Sequence, residues 1–357
     1  MTRKIGLDAV RAVAISLVLI SHYDKEIEFL GIYGVELFFA LSGFLIGGIL
    51  YRRLTACSRW TYGEVRLFWL RRWWRTLPNY YLFLAVSLLF SDFAGGIPTI
   101  GNLIPFCVFG QDLFSVKSDF YGVSWSLCVE EWFYFLFPLS ILLFTSLRRS
   151  KRIAFICTTL LFLVFPPILR EFMFTRNDPY LIRMMTIPRL DAIFYGVATA
   201  FLSARHRVSS STKLALLGGA STGLVALFIF QHHCHQTNDL VPFYRAAFLV
   251  LPICFSLCLP FFSSLEELPT FCAFLTRPVA NLSLWSYSIY LSHMPVLFMV
   301  YAAFGGTREH AIINLLSKFV GLLACLVASS LIYKYFESRL MLLRPDENNP
   351  ARCGQCK

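Results

Sequence analysis

The chain has 357 residues, of which 57% are hydrophobic and only 15% are charged. Soluble domains carry close to one quarter charged residues, so this composition excludes a large water-soluble core and indicates several membrane spans. The formal net charge of +11 does not indicate nucleic-acid binding, because the basic residues lie in short loops between apolar runs.

About ten apolar segments are long enough to cross a bilayer as helices. We place them near residues 7–23, 33–51, 77–91, 125–145, 153–169, 187–204, 213–231, 243–262, 282–303 and 312–334. Most of the 32 Lys and Arg residues then fall on one side, which the positive-inside rule assigns to the cytoplasm. The sequence therefore predicts an all-α integral membrane protein, with about ten transmembrane helices in one bundle and both termini cytoplasmic. Residues 1–340 would form its one domain, and residues 341–357 a short cytoplasmic tail.

The first span contains an arginine and a histidine within an apolar run. Eleven positions separate Arg11 from His22, and a helix turns by about 100° per residue, so both side chains share one helix face. An arginine at the centre of a span costs roughly 2.5–3.5 kcal/mol on insertion scales, so its retention needs a reason. An anion-binding group and a titratable base in one line indicate a reaction path through the membrane. The alternative is a snorkelling arginine and an interfacial histidine.

The second span combines small residues with one carboxylate. We assign Gly43, Gly47 and Gly48 to close helix packing. Glu36 lies about one turn inside the boundary nearest to His22, where an unpaired carboxylate is costly. We expect it either to lie beside His22 and fix its tautomer, or to be solvated at the membrane edge.

A basic and aromatic segment leads into the third span. Arg72 and Arg75 lie one helical turn apart and suit bidentate recognition of phosphate, while the indoles of Trp73 and Trp74 suit stacking on a purine. The alternative is that topology alone demands arginines at a cytoplasmic flank.

The fourth span places two carboxylates inside an apolar helix. Glu130 and Glu131 are adjacent and therefore face different directions. Ionisable residues inside a span favour a functional role. We expect both at a depth comparable to His22.

Three later residues in spans need polar partners. Arg189 and Asp191 are two positions apart, so each is expected to form a structural ion pair with another helix. His293 lies at mid-depth in the ninth span and requires a hydrogen-bonding partner, either as a ligand-binding residue or as a structural one.

Two segments resemble metal sites weakly, and we predict no metal. His232, His233 and His235 lack a second half of a site and are assigned to a polar outer loop. Cys353 and Cys356 form a lone CxxC in the tail, without a second ligand pair.

Taken together, these motifs resemble the membrane acyltransferase-3 family, which O-acylates cell-surface glycans. They occur in the order of that family along nearly the whole chain, and each is weakly specific alone. They are Arg11-x10-His22, Gly34 through Ile46, Arg72-x-x-Arg75 with Pro78, Trp125-Ser-Leu-x-x-Glu130-x-x-Phe-Tyr134, Arg189-x-Asp191 with Gly196, and Tyr290-Leu-x-His293-x-Pro295. The chain ends soon after Glu337, so it is similar to the stand-alone form without a C-terminal esterase-like domain.

The resemblance implies a cytoplasmic acyl-CoA as donor substrate, usually acetyl-CoA, and no bound cofactor. Arg72 and Arg75 would hold the phosphates of the donor, and Arg11 would line the channel for its pantetheine arm. His293 is placed with the substrate-binding residues.

The resemblance also implies that His22 acts as general base on the hydroxyl of an acceptor sugar. Glu130, together with Glu36, would orient His22 or bind the sugar. The acceptor would be a carbohydrate such as O-antigen, an exopolysaccharide or a glycolipid. The protein would lie in a bacterial inner membrane, among membrane lipid and glycan-assembly proteins.

Two other functions use the same residues. A proton-coupled transporter or glycan flippase also needs intramembrane Arg, His and Glu residues, although no internal repeat is visible. A scaffold or sensor subunit of an envelope-polymer machine is the third hypothesis. The identity of the acceptor, the length of the acyl chain and a covalent acyl-enzyme are left open by the sequence.

Overall fold

The chain folds as a bundle of helices in a computed structural model, which describes residues 4–23, 27–91, 99–116, 120–147, 150–304 and 311–346. No β-strand occurs among these residues. The helices are α1 (Ile5–Tyr23), α2 (Leu30–Ala56), α3 (Tyr62–Leu89), α4 (Ile100–Cys107), α5 (Trp125–Leu147), α6 (Lys151–Phe174), α7 (Pro179–Met184), α8 (Asp191–Arg205), α9 (Ser210–Gln236), α10 (Val241–Phe262), α11 (Thr276–Ala303), α12 (Ala311–Ile332) and α13 (Ser338–Met341).

Within the described ranges, seven helices are long and apolar enough to cross a membrane. They are α1, α2, α5, α6, α9, α10 and α12. The three remaining predicted spans also fall on helices, but α3 and α11 are more polar and α8 has only 15 residues. The structure therefore confirms an all-α membrane protein. The number of spans, the cytoplasmic termini and the tail at 341–357 stay predictions.

Short connections define two ends of the bundle. The end where α1 stops and α2 starts contains His22, and we call it the histidine end. The end where α2 stops and α3 starts contains Arg53 and the Arg71–Arg75 segment, and we call it the arginine end. The two polar groups of α1 thus face different ends, because Arg11 lies in its first half and His22 in its last turn.

The centre of the bundle is a close contact between α2 and α8. A Cβ added to Gly43 would overlap the carbonyl oxygen of Ile193, and one added to Gly196 would overlap the carbonyl oxygen of Ala40. A Cβ at Gly47 would press on Val197. The predicted packing role is therefore confirmed for Gly43 and Gly47, because only glycine permits this helix separation.

Gly48 does not share that role. The nearest atom to a Cβ at this position is the guanidinium nitrogen Nη1 of Arg52, one turn along the same helix, at 3.3 Å. The assignment of Gly48 to close helix packing is therefore wrong.

Two buried ion pairs hold α8 to its neighbours, as predicted for Arg189 and Asp191. Arg189 pairs with Glu36 of α2, and both side chains are almost fully inaccessible. Arg170 of α6 donates to both carboxylate oxygens of Asp191, at 2.9 and 3.0 Å. A 3₁₀ turn at Ile187–Arg189 precedes α8 and separates the two residues enough for different partners.

This arrangement corrects the expected position of Glu36. The hydrogen bond to its Oε1 atom comes from Arg189, and Oε2 has no hydrogen-bond partner among the described residues. Glu36 therefore does not bond to His22, nor is it solvated, since its side chain is 1% exposed. The reason is that a buried arginine needs a carboxylate more strongly than a histidine at the bundle end does.

Candidate active site

A cavity of about 1280 Å³ opens at the arginine end and penetrates the bundle. Its mouth is basic, and its inner end is lined by Ser126, Tyr290 and Phe38. We call it the arginine cavity. The cationic side chains that line it are Lys4, Arg11, Arg52, Arg53, Arg71, Arg72, Arg75 and Arg344.

Arg72 and Arg75 line this cavity from the helix face predicted for them. The guanidinium of Arg72 lies over the ring of Phe68, 5.7 Å from its centroid, and its buried Nε atom has no hydrogen-bond partner among the described residues. Neither arginine forms an ion pair with a residue that the structure describes. A pair of cations without carboxylate partners can bind an anion.

The predicted stacking of indoles on a purine is not supported. The ring of Trp73 stacks on Trp69 at 5.8 Å, and Trp69 in turn donates from Nε1 to the carbonyl oxygen of Tyr134. Neither Trp73 nor Trp74 is among the described residues that line the cavity. One face of the Trp73 ring therefore packs against Trp69.

Arg11 lies in the same cavity and is held by two neighbours. Its Nη1 atom donates to Ser283 of α11 at 3.3 Å and lies 3.9 Å from the carboxylate of Asp8. Ser283 also donates to Asp8, at 2.6 Å. The three groups fix the guanidinium against α11. Asp8 and Ser283 were not predicted as site residues, although the i, i+3 spacing of Asp8 and Arg11 is a signal for such a contact.

Glu130 also lines the arginine cavity, which differs from its predicted place beside His22. Its Oε1 atom accepts from Ser42 at 2.5 Å, and its Oε2 atom accepts from Tyr134 at 3.3 Å. Hydroxyl groups of α2 and α5 donate to both of its carboxylate oxygens, and its role in orienting His22 or binding the sugar stays a prediction. Its neighbour Glu131 is buried and does not line the cavity.

His22 and His293 form a pair at the histidine end. Their ring centroids lie 4.8 Å apart with the planes at 66°. His22 is exposed, whereas His293 is fully buried. His293 thus lies with the predicted base, away from the arginines. Helices α1 and α11 pack closely, and this contact brings together residues from opposite parts of the chain.

Hydrogen bonds to backbone carbonyls determine the tautomer of both rings. Nδ1 of His22 lies 2.7 Å from the carbonyl oxygen of Val18, and Nδ1 of His293 lies 2.7 Å from that of Tyr290. A carbonyl oxygen only accepts, so each Nδ1 carries the hydrogen and each Nε2 presents a lone pair. Nε2 of His293 is buried without a partner among the described residues. The pair therefore offers two proton-accepting nitrogens.

Tyr290 separates the histidine pair from the arginine cavity. Its ring centroid lies 5.8 Å from that of His293, and its hydroxyl lies 2.6 Å from Oγ of Ser126. Both Tyr290 and Ser126 line the inner end of the cavity. Tyr290 thus contacts both the inner end of the basic cavity and the histidine pair.

The histidines of the predicted outer loop are helical. His232, His233 and His235 lie in the last two turns of α9 and are exposed. Within the described ranges, no group of His, Cys, Asp and Glu side chains is placed to hold a metal ion. The loop assignment is therefore wrong, and the CxxC of Cys353 and Cys356 lies outside the described residues.

Comparison with known proteins assigns a family. A family model described as an acyltransferase domain matches residues 4–334. The peptidoglycan O-acetyltransferase OatA of Listeria monocytogenes is 24% identical over 355 residues, covering 93% of this chain and 55% of the relative. The putative peptidoglycan O-acetyltransferase YrhL of Bacillus subtilis is 27% identical over 319 residues, covering 82% of this chain and 48% of the relative.

A putative O-acetyltransferase of Staphylococcus aureus (strain COL) is 26% identical over 359 residues, covering 93% of this chain and 56% of the relative. The chain spans about half the length of these curated relatives. No solved structure gives a significant match. Because the family model covers nearly the whole helical bundle, the chain belongs to the membrane acyltransferase family that this model describes.

Proposed function

We propose that this protein is an O-acetyltransferase of a bacterial inner membrane. It moves an acetyl group from cytoplasmic acetyl-CoA to a hydroxyl group of a cell-surface or secreted carbohydrate. The observation that carries the proposal is the layout of the site: the arginine cavity ends at Tyr290, and the His22–His293 pair lies directly behind it. The names of the relatives support acetyl as the group transferred.

The arginine cavity suits a long anionic donor. At about 1280 Å³ it is larger than the roughly 300–1,000 Å³ of most small-molecule sites. Its arginines would bind the phosphates of coenzyme A near the mouth, with Arg72 and Arg75 as the pair that forms no ion pair with the described residues. The pantetheine arm would then run past Arg11 toward Tyr290.

Proton transfer would take place at the exposed histidine. The acceptor oxygen attacks the carbonyl carbon of the thioester while its proton passes to Nε2 of His22. The tetrahedral intermediate then loses the thiolate, which takes the proton from His22 as the carbon–sulfur bond breaks. The products are an acetyl ester and free coenzyme A. A positioned base contributes roughly 10²–10⁴ in rate.

His293 would support the charged form of His22. When His22 is protonated, its Nε2–H group becomes a donor, and the lone pair on Nε2 of His293 lies on the neighbouring ring without another partner. A hydrogen bond between the two nitrogens would stabilise the imidazolium until the proton passes to the thiolate. Direct transfer needs no covalent acyl-enzyme.

The direction of transfer follows from the distribution of charge. The positive-inside rule supports an arginine end in the cytoplasm, where acyl-CoA is made, and a histidine end outside. Membrane lipid surrounds the bundle, and glycan-assembly proteins would deliver the acceptor.

Acetyl transfer by purified protein tests the proposal. The assay uses radiolabelled acetyl-CoA and polysaccharide isolated from a strain that lacks the gene. We expect His22→Ala to lower transfer by 10²–10⁴ while the protein stays folded. His232→Ala is the matched control, because that histidine is exposed on α9 and does not line the arginine cavity. Full acetyl transfer by His22→Ala would contradict the proposal. Binding of the polysaccharide without any transfer of label would favour a glycan flippase.

A further inference from the structure

A second cavity of about 260 Å³ lies at the histidine end. We infer that this cavity, formed around Arg183, is the subsite that binds one sugar residue of the acceptor and presents its hydroxyl to His22. The inference rests on the proposed function and adds the position of the acceptor and the chemistry of its recognition. We call the cavity the outer pocket. Its polar lining residues are Glu28, Tyr180, Arg183, Gln231, His235 and Tyr244.

The outer pocket lies next to the base. Glu28, which lines the outer pocket, follows His22 by six positions and lies just before α2 at the same end of the bundle. The guanidinium of Arg183 lies 5.4 Å from the ring of Trp125, the residue before Ser126. The outer pocket therefore lies at the same end of the bundle as His22, and Arg183 connects it through Trp125 to the inner end of the donor cavity.

Arg183 is held in position by two aromatic rings. Helix α7 places Arg183 one turn after Tyr180, so that the guanidinium lies over the tyrosine ring at 5.1 Å. Trp125 covers it from a second side. Arg183 forms no ion pair with a residue that the structure describes, and its buried Nε–H group donates to none of them. A buried donor that stays unpaired is costly unless a ligand uses it.

The other residues that line the outer pocket supply the donors, acceptors and apolar faces that bind a sugar. Tyr33 donates to Oε1 of Gln231 at 2.9 Å, which orients the amide and leaves its Nε2 hydrogens as donors. Glu28 supplies an acceptor for hydroxyl groups. The aromatic rings of Phe29, Tyr180 and Tyr244 offer apolar faces against which the C–H face of a pyranose packs.

The size of the outer pocket limits what it can hold. Its volume of about 260 Å³ is slightly below the roughly 300–1,000 Å³ that is typical of drug-sized ligands. One sugar residue fits this space, and a longer segment of glycan would extend into solvent past the exposed side chains of Glu28 and His235. Because the lining contains both charge signs, we assign a hydroxyl-rich sugar to the pocket.

Kinetics with separate donor and acceptor readouts test this subsite. The assay uses purified protein, radiolabelled acetyl-CoA, and the polysaccharide of a strain that lacks the gene. We expect Arg183→Ala to raise the KM for polysaccharide at least tenfold, with the affinity for coenzyme A within twofold of wild type. Arg183→Lys should recover part of the loss, because it restores one donor. Arg75→Ala should show the reverse pattern, with weaker coenzyme A binding.

The outcomes separate this inference from the proposed function. If wild-type protein transfers no acetyl group, both fail. If wild type is active and Arg183→Ala keeps its KM for polysaccharide, the subsite alone is overturned. The subsite is also overturned if folded Arg183→Ala loses coenzyme A affinity in step with transfer. Thermal unfolding of each variant, with Arg176→Ala on the same connection as a control outside both cavities, identifies a loss caused by misfolding.

Discussion

Arginines inside this bundle occur in two settings. In one they form buried ion pairs with carboxylates, and in the other they line the arginine cavity. In the ion-pair cluster of Glu36, Arg170, Arg189 and Asp191, each guanidinium faces a carboxylate, and the side chains are at most 5% exposed. In the arginine cavity, Arg72 and Arg75 have no such partner among the described residues and border open space. Ion-paired arginines hold helices together, whereas Arg72 and Arg75, which form no ion pair with the described residues, are available to a ligand.

The largest effect is expected in the ion-pair cluster. Arg189→Ala leaves Glu36 as a buried charge without a partner, which costs about 3–5 kcal/mol in the free energy of unfolding. Denaturant unfolding of the protein in detergent measures this. The double variant Glu36→Leu/Arg189→Met should recover most of the stability, because an apolar pair carries no desolvation penalty. If Arg189→Ala were as stable as wild type, the arginines in ion pairs would not differ from the cavity arginines in their contribution to stability.

A variant in the cavity should show the opposite pattern. Arg75→Ala is expected to keep the free energy of unfolding within about 0.5 kcal/mol of the wild-type value, because it removes no buried partner among the described residues. It should weaken coenzyme A binding by about 1.5–3 kcal/mol, the loss of one charge-assisted hydrogen bond. Isothermal titration of coenzyme A checks the second value. Arg152→Ala, a basic residue that does not line the cavity, is the matched control.

Arg11 is intermediate, since it lines the cavity and also has local partners. Ser283→Ala removes one hydrogen bond each from Arg11 and Asp8 while leaving both charges in place. We expect a loss of about 0.5–1.5 kcal/mol in stability and a smaller change in donor affinity than that of Arg75→Ala. Unchanged stability would mean that Arg11 belongs wholly with the ligand-binding arginines.

The smallest effect is expected at Arg53, a cavity arginine whose ion pair with a carboxylate is partly exposed. Arg53 bonds to Glu64 at 2.5 Å, but both side chains are partly exposed. Glu64→Gln should therefore change stability by no more than about 1 kcal/mol, which thermal unfolding can resolve. Removing the negative charge should not weaken coenzyme A binding, and a loss of affinity would assign Glu64 to the donor site.

The site shows how far single residues could be predicted. The sequence identified Arg11 and His22 as polar groups inside an apolar span, and Arg72 and Arg75 as a phosphate-binding pair at the entrance to another. Of these four residues, the three arginines line the arginine cavity. Glu36 was also identified, but its predicted place beside His22 was wrong. The depth of a residue in a span does not reveal which helix it faces. Arg183 was missed, since it lies on the short helix α7 outside the spans and carries no motif.

Hydropathy and charge determined the class of this protein, the helical character of its predicted spans and the presence of Arg11 and His22 on one helix. These properties depend on local composition and on the period of a helix, which a sequence shows directly. Tertiary structure alone decided that Arg189 takes Glu36, that His293 joins His22, and that Glu130 belongs with the arginines. Those partners come from distant parts of the chain, and packing such as the glycine contact of α2 with α8 selects them.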